Sequence, residues 1–181
     1  MIQNLPNIQD EKGNLHSIYP CQGYLTFGPW IYLVPQYKPK SVLMLGYAGG
    51  TAAGLIRMFY GDIPITCVDI LDCSDMNFYG VELVKADAKD YVKSSSKFDC
   101  VIVDIYKEGD QTEKFVTSKE FVRDVSKIAN YIIVHATEKD DMSEYNDLRK
   151  IKTLTLPFNG DIPDGKFHYY MVTEIHSLPV R

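Results

Sequence analysis

No stretch of the sequence approaches the roughly 18 consecutive apolar residues of a membrane-spanning helix, so the chain is not expected to enter a membrane. The opening "MIQNLPNIQDEKG" has neither the basic segment nor the apolar segment of a secretory leader. A cytoplasmic protein is expected. Cysteine is sparse: Cys21, Cys67, Cys73 and Cys100 stand too far apart for C-x-x-C metal or redox patterns, and two lie in apolar runs that read as buried strands. They are expected to be plain thiols. Positive charge is short as well, with 19 Lys and Arg against 24 Asp and Glu, a net charge of −5 and a pI near 5.3. That balance argues against a broad surface for nucleic acid or anionic lipid and favours a small neutral or cationic partner. Internal repeats and low-complexity segments are missing, and "SSS" at Ser94 to Ser96 reads as a loop.

What is present is enough for one substantial core: 181 residues, 45% of them hydrophobic. Residues 1–40 read as an N-terminal arm. A turn signal around Gly13 suggests a short hairpin or irregular segment up to about Thr26. In "GPWIYLVPQYKPK", Pro29 suits the first turn of a short helix that Pro35 breaks, with an extended lead-in through Pro39. From Ser41 to Arg181 short apolar runs alternate with segments of helical period. "SVLML", "IPITCVDI", "FDCVIVD" and "YIIVHA" are continuous, as strands covered on both faces are, while "VELVKADA" alternates like a strand nearer an edge. A helix is predicted after the first run, with Ala52, Leu55, Ile56 and Phe59 inward and Gly61 as its cap. "TSKE" at Thr117 to Glu120 matches a capping box ahead of a face made by Phe121, Val122, Val125, Ile128 and Ala129. "MSEYNDLRKI" is a weaker helical segment. "KTLTLPF" and "FHYYMVTEIH", separated by the turn-rich "NGDIPDGK", read as an antiparallel hairpin. Strand and helix alternating five times give a doubly wound, mostly parallel α/β sheet of Rossmann-like type, with that hairpin at its edge. Ligands of such sheets bind outside the carboxyl ends of the strands, where strand order reverses.

The strand ends carry the candidate chemistry. Gly46, Ala48, Gly49 and Gly50 lack bulk where the first strand meets its helix, which suits close approach of a ligand to backbone N–H groups and equally suits a tight turn alone. Their spacing fits G-x-G-x-G, with Ala48 as a small substitute, better than the dinucleotide G-x-G-x-x-G, whose third position would be Thr51. Asp69, 23 residues beyond Gly46, ends the second strand where a carboxylate can accept from two ribose hydroxyls; the alternative is a solvated loop acid beside Asp72 and Asp75. Asp87 with Ala88 ends the third, facing an adenine or capping the helix that starts with "KDYV". Asp104 ends the fourth, as an acid that orients or deprotonates an acceptor, or as a cap. His135 ends the fifth, as a base near the cleft or as a structural histidine.

In order, "VLMLGYAGGTAA", "CVDI", "VKADAKDYV", "KFDCVIVDIY" and "FVTSKEFVRDV" resemble the class I S-adenosylmethionine-dependent methyltransferase fold, and within it the spermidine synthase group, over about Ser41 to Ala136. The resemblance implies S-adenosylmethionine as cofactor. Gly46, Tyr47, Ala48, Gly49 and Gly50 would pass under its methionine part, Asp69 with Ile70 would serve the ribose, Asp87 and Ala88 would face the adenine, and Asp104 would be the catalytic acid–base residue. In spermidine synthases a second Asp lies three residues after the first, but here that position is Lys107, a cation that would repel a polyamine. "VDIYK" is also similar to the D-x-x-K segment of metal-dependent catechol methyltransferases. Their further Asp-Asn pair is replaced by His135, Ala136 and Thr137, so no metal site is expected.

The leading expectation is therefore a methyltransferase acting on a small-molecule substrate, with no nucleic-acid or membrane partner and with a homodimer as the assembly. Methyl transfer needs mainly alignment and, for some acceptors, a base, so the lack of a catalytic triad does not count against it. The alternatives are a nucleoside-binding domain without turnover, an aminopropyltransferase and a nicotinamide-dependent dehydrogenase. Tyr19, Tyr24, Trp30 and Tyr32 would line a pocket for a flat or cationic acceptor or serve as ordinary core and rim aromatics. Acceptor specificity is expected in the arm and in the loop Lys107 to Lys114.

Overall fold

Residues 8–9, 15–17, 30, 33–77, 79–107, 111–137, 140–146, 148, 150–156 and 168–174 are described by a computed structural model, with backbone alone at 8–9, 15–17, 107, 111, 137, 146, 150–156 and 168–174. Five strands run parallel: β1 (Val42–Leu45), β2 (Ile65–Asp69), β3 (Glu82–Lys85), β4 (Phe98–Val103) and β5 (Ala129–Thr137). Helix α1 (Thr51–Tyr60) joins β1 to β2, α2 (Ala88–Ser94) joins β3 to β4, and α3 (Lys119–Ile128) joins β4 to β5. After a single turn, α4 (Ser143–Asn146), the backbone of β6 (Lys150–Leu156) and β7 (His168–Glu174) extends the sheet, with β7 antiparallel to both β5 and β6. The order is β6-β7-β5-β4-β1-β2-β3. Successive strands thus move one way from β1 and the other way from β4, which makes the β1–β4 junction the switch point. Residues 157–167, where the turn-rich segment falls, lie outside the described residues. In the arm, Ile8–Gln9 pairs antiparallel with Leu15–Ser17, while the Gly13 turn and Pro29 lie outside them.

Continuous apolar strands form here because both faces of the sheet are covered. Along β1, Val42 and Met44 belong to one core cluster and Leu43 and Leu45 to the other, and all four are buried. Cys67 and Val68 of β2, Ile102 and Val103 of β4, and Ile133 and Val134 of β5 divide in the same way. Each such side chain contributes about 1.5–3 kcal/mol relative to exposure, enough to fix the register, since a one-residue slip would exchange the two faces. One face is covered by α2, α3 and Tyr145 of α4. The other is covered by α1 together with irregular chain, Leu33 from the arm and Cys73 and Val81 from the β2–β3 connection.

Three expectations are corrected by these elements. The β2–β3 connection contains no α-helix among its described residues, only a 3₁₀ turn at Ser74–Met76, so strand and helix do not alternate five times. Asp72, Ser74 and Asn77 explain this: Asp72 accepts from the Ser74 amide, and the Asn77 side chain bonds both backbone groups of Val81, so local side-chain bonds replace helical ones. Phe59 is exposed rather than inward. The first six residues of α1 are buried, and in the last turn it is Tyr60 that stays packed, its hydroxyl donating to the Pro35 carbonyl. The capping box is displaced by one residue. A 3₁₀ turn, Lys114–Thr117, draws Thr117 in, and the first extended residue is Ser118, whose Oγ accepts from the Phe121 amide at 3.3 Å. Phe121, Val122, Val125 and Ile128 then point inward as predicted, and Ala129 opens β5.

Candidate functional site

The alternation that sorts the core also sorts the strand ends. Asp69 shares the α1 face with Cys67, and His135 shares it with Ile133. Gly46 follows Met44, and Asp104 follows Ile102, one step past their strands. The polar groups therefore converge on one side of the switch point. There a small open cleft is lined by Trp30, Met44, Gly46, Tyr47, Ala48, Gly49, Thr51, Ala52 and Asp104.

The loop from Gly46 to Gly50 is shaped first by its own surroundings. Gly46 has φ +92°, and a Cβ on it would sit 2.2 Å from the Asp104 carbonyl oxygen, so β1 and β4 can close only over a glycine. Gly50, at φ +76° and N-terminal to α1, lies against the Tyr47 ring, where a Cβ would come within 2.6 Å of Cζ. The Tyr47 hydroxyl donates to the Met76 carbonyl at 2.8 Å, which pins that buried ring to the β2–β3 connection. Ala48 also takes a left-handed conformation, φ +44°, with a side chain that disfavours it. The absence of bulk at Gly46 and Gly50 is thus accounted for by the protein itself.

Asp69 holds this loop. Its Oδ2 accepts from the amides of Tyr47 (2.8 Å) and Ala48 (3.1 Å), and its Oδ1 accepts from the amide of Leu71 (2.9 Å). A carboxylate offers about four acceptor positions, so three backbone bonds leave room for roughly one further donor rather than the two ribose hydroxyls expected. Ile70 beside it is 61% exposed, an apolar surface next to the cleft residues. Burial foremost, and then the Asp69 charge, push the Cys73 thiol up to about 12. Asp87 is the N-cap of α2, accepting from the Lys89 amide at 2.8 Å, and Ala88 is the buried first residue of that helix. That is the capping alternative raised for Asp87.

Asp104 and His135 form a pair. His135 Nδ1 lies 2.7 Å from Asp104 Oδ1, with side chains only 9% and 15% exposed. With Nδ1 as the donor of this bond, Oδ1 accepts. Asp104 Oδ2 hydrogen-bonds to no described residue, and Asp104, unlike His135, lines the cleft. The Tyr106 ring packs against the imidazole at 4.5 Å between centroids. This pairing escapes sequence reasoning because it depends on strand register: Val103 lies opposite Val134, which sets residue 104 beside 135. Trp30 is brought to the cleft from the arm, whereas Tyr19, Tyr24 and Tyr32 lie outside the described residues, as do residues 108–110 of the loop after Lys107. Among the described residues no three metal-ligating side chains come together, and no helix is long and apolar enough to cross a membrane.

No protein-family model matches the sequence, and no curated protein matches it. Solved structures do. Human methyltransferase-like protein 13, in complex with SAH, superposes with a TM-score of 0.60 at 15% identity, over 83% of this chain and 80% of that one. A probable spermidine synthase from Corynebacterium glutamicum gives 0.59 at 16% identity, over 74% of this chain and 55% of that one. TrmN from Thermus thermophilus gives 0.58 at 10% identity, over 81% and 47%. The fold is that of the class I S-adenosylmethionine-dependent methyltransferases and spermidine synthases. The chain spans little more than half the length of that spermidine synthase.

Proposed function

We propose that this protein is an S-adenosylmethionine-dependent transferase, a methyltransferase acting on a small molecule at the cleft beside Asp104. The observation that carries the proposal is the position of Asp69. Its carboxylate holds the amides of Tyr47 and Ala48 and sets a negative charge against the glycine loop, where it opposes the negative charge of a pyrophosphate. A dinucleotide is thereby disfavoured. A cationic nucleoside is favoured, because it needs no anion nest and gains from nearby carboxylates.

The residues present fit such a group. Gly46 to Gly50 and Trp30 would bound its amino-acid part, the remaining acceptor position of Asp69 would take one ribose hydroxyl, and exposed Ile70 with Asp87 and Ala88 would flank the base. The bound cofactor supplies an activated methyl group on a good leaving group. The protein supplies alignment and an acceptor for a proton at Asp104. Lys107 in place of a second acid supports methyl rather than aminopropyl transfer.

A nucleoside-binding domain without turnover is the second reading, favoured by the structural tasks that Asp69 and Asp87 already perform. Asp104→Asn separates the two. An enzyme should keep S-adenosylmethionine affinity within about threefold and lose turnover on its best acceptor by about 10²–10⁴-fold, as expected for removal of a general base. A parent protein that binds the cofactor but methylates none of a broad panel of amines, phenols and alcohols favours the second reading.

A further inference from the structure

His135 does not line the cleft, yet it is bonded to the acid that does. The contact is short, both side chains are largely buried, and it engages Oδ1 while Oδ2 bonds to no described residue. An aspartate ending a strand can rotate about χ1 and χ2. One whose Oδ1 is held by a packed imidazole cannot, and Tyr106 against that ring removes the remaining freedom. The Asp104–His135 contact lies just past the β4–β5 pairing, which ends at Val103 and Val134, while the backbone of His135 continues β5 opposite Tyr170 of β7.

Building on the proposed function, we infer that His135 is a positioning residue that holds Asp104 with Oδ2 available to the cleft. The acceptor is then a protic nitrogen or oxygen nucleophile, an amine, phenol or alcohol, rather than a thioether or tertiary amine. In the transfer, an ammonium N–H or a hydroxyl O–H proton of the acceptor passes to Asp104 Oδ2, and the electron pair so freed on the acceptor nitrogen or oxygen forms the new bond to the methyl carbon. The carbon–sulfur pair returns to sulfur as a neutral thioether. An acceptor with no proton to lose has no use for a carboxylate held in this way.

The test compares the full chain with His135→Asn, whose amide N–H can still donate near the Nδ1 position, and with His135→Phe, which keeps a ring and loses the donor. Three readouts are taken: ¹⁵N-correlated NMR of the imidazole, calorimetric binding of S-adenosylmethionine, and kcat and KM on amine, phenol, alcohol and thioether acceptors. The expected results are an Nδ1–H tautomer in the parent that is lost in Asp104→Asn, and cofactor affinity unchanged within about threefold in both His135 variants. The kcat of His135→Phe should fall about 100-fold at similar KM, with most of that loss restored in His135→Asn and turnover confined to protic acceptors. An Nε2–H tautomer, a His135→Phe kcat within threefold of the parent, or equal turnover of a thioether would overturn the inference. Failure of the parent to bind S-adenosylmethionine would overturn the proposed function and the acceptor class with it, while the tautomer experiment would still decide whether the Asp104–His135 bond exists.

Discussion

Replacing Gly46 by alanine puts the account of the loop under direct strain. The added Cβ would lie 2.2 Å from the Asp104 carbonyl oxygen and 2.9 Å from its carbon, both backbone atoms that cannot swing aside. The Asp104 amide is itself tied to the Leu45 carbonyl at 2.9 Å, so relief requires β1 and β4 to part by about 1 Å where the cleft begins. A left-handed φ costs a non-glycine residue about 1–2 kcal/mol, and overpacking adds about 1–3 kcal/mol. Gly46→Ala should therefore lose about 3 kcal/mol, or about 6–12 °C in Tm for a chain of this size. Gly80 provides the control. It also has positive φ, +59°, but nothing lies within 4 Å of its Cβ position, so Gly80→Ala should lose only the backbone part, about 1–2 kcal/mol. Urea unfolding followed by circular dichroism measures both, provided the m-values agree. If Gly46→Ala were no more destabilising than Gly80→Ala, the close approach of Gly46 to Asp104 would be refuted.

Further substitutions and a thiol probe address neighbouring claims. Asp69→Asn removes the charge from an acceptor of three backbone amides and turns an NH₂ group toward some of them; a loss of about 2–3 kcal/mol in urea unfolding is expected. Ser118→Ala should cost about 1 kcal/mol through loss of the cap on α3, and Thr117→Ala distinctly less; the reverse order would restore the capping box read from sequence. Burial raises the thiols of Cys67, Cys73 and Cys100, the second of them to about 12, so at pH 8 only about one Cys73 in ten thousand is thiolate. A thiol reagent should label none of the three in the native protein and all three in urea; rapid native labelling of Cys73, followed by peptide mapping, would contradict its placement.

Most of the fold was legible because it depends on patterns that burial imposes. "SVLML" and "FDCVIVD" could be continuous only if both faces were covered, and Val42 to Leu45 and Val101 to Val103 are buried on both. The irregular parts were less legible because their bonds are local and polar. Nothing periodic announces that Asp72 and Asn77 close the β2–β3 connection without a helix, or that Thr117 belongs to a preceding turn. At the site, the residues were legible and their partners were not. Asp69 stands where a strand-end acid was expected, but two of its three amide donors come from a loop more than 20 residues away in sequence. Asp104 was readable as a candidate alone, while its bond to His135, 31 residues on, follows from register and strand order, which one sequence does not display. Phe59 shows the limit of helical periodicity: its spacing is right for an inward face, but the arm packs Tyr60 instead.

The most direct test of the central claim is parallel calorimetric titration of the purified protein with S-adenosylmethionine, its decarboxylated form and NAD. The account predicts saturable one-to-one binding of S-adenosylmethionine, weaker binding of the decarboxylated form, and no binding of NAD, whose pyrophosphate is opposed by the Asp69 charge against the loop. Binding of NAD with no response to S-adenosylmethionine, or silence toward all three at millimolar concentration, would contradict it and leave only the fold standing.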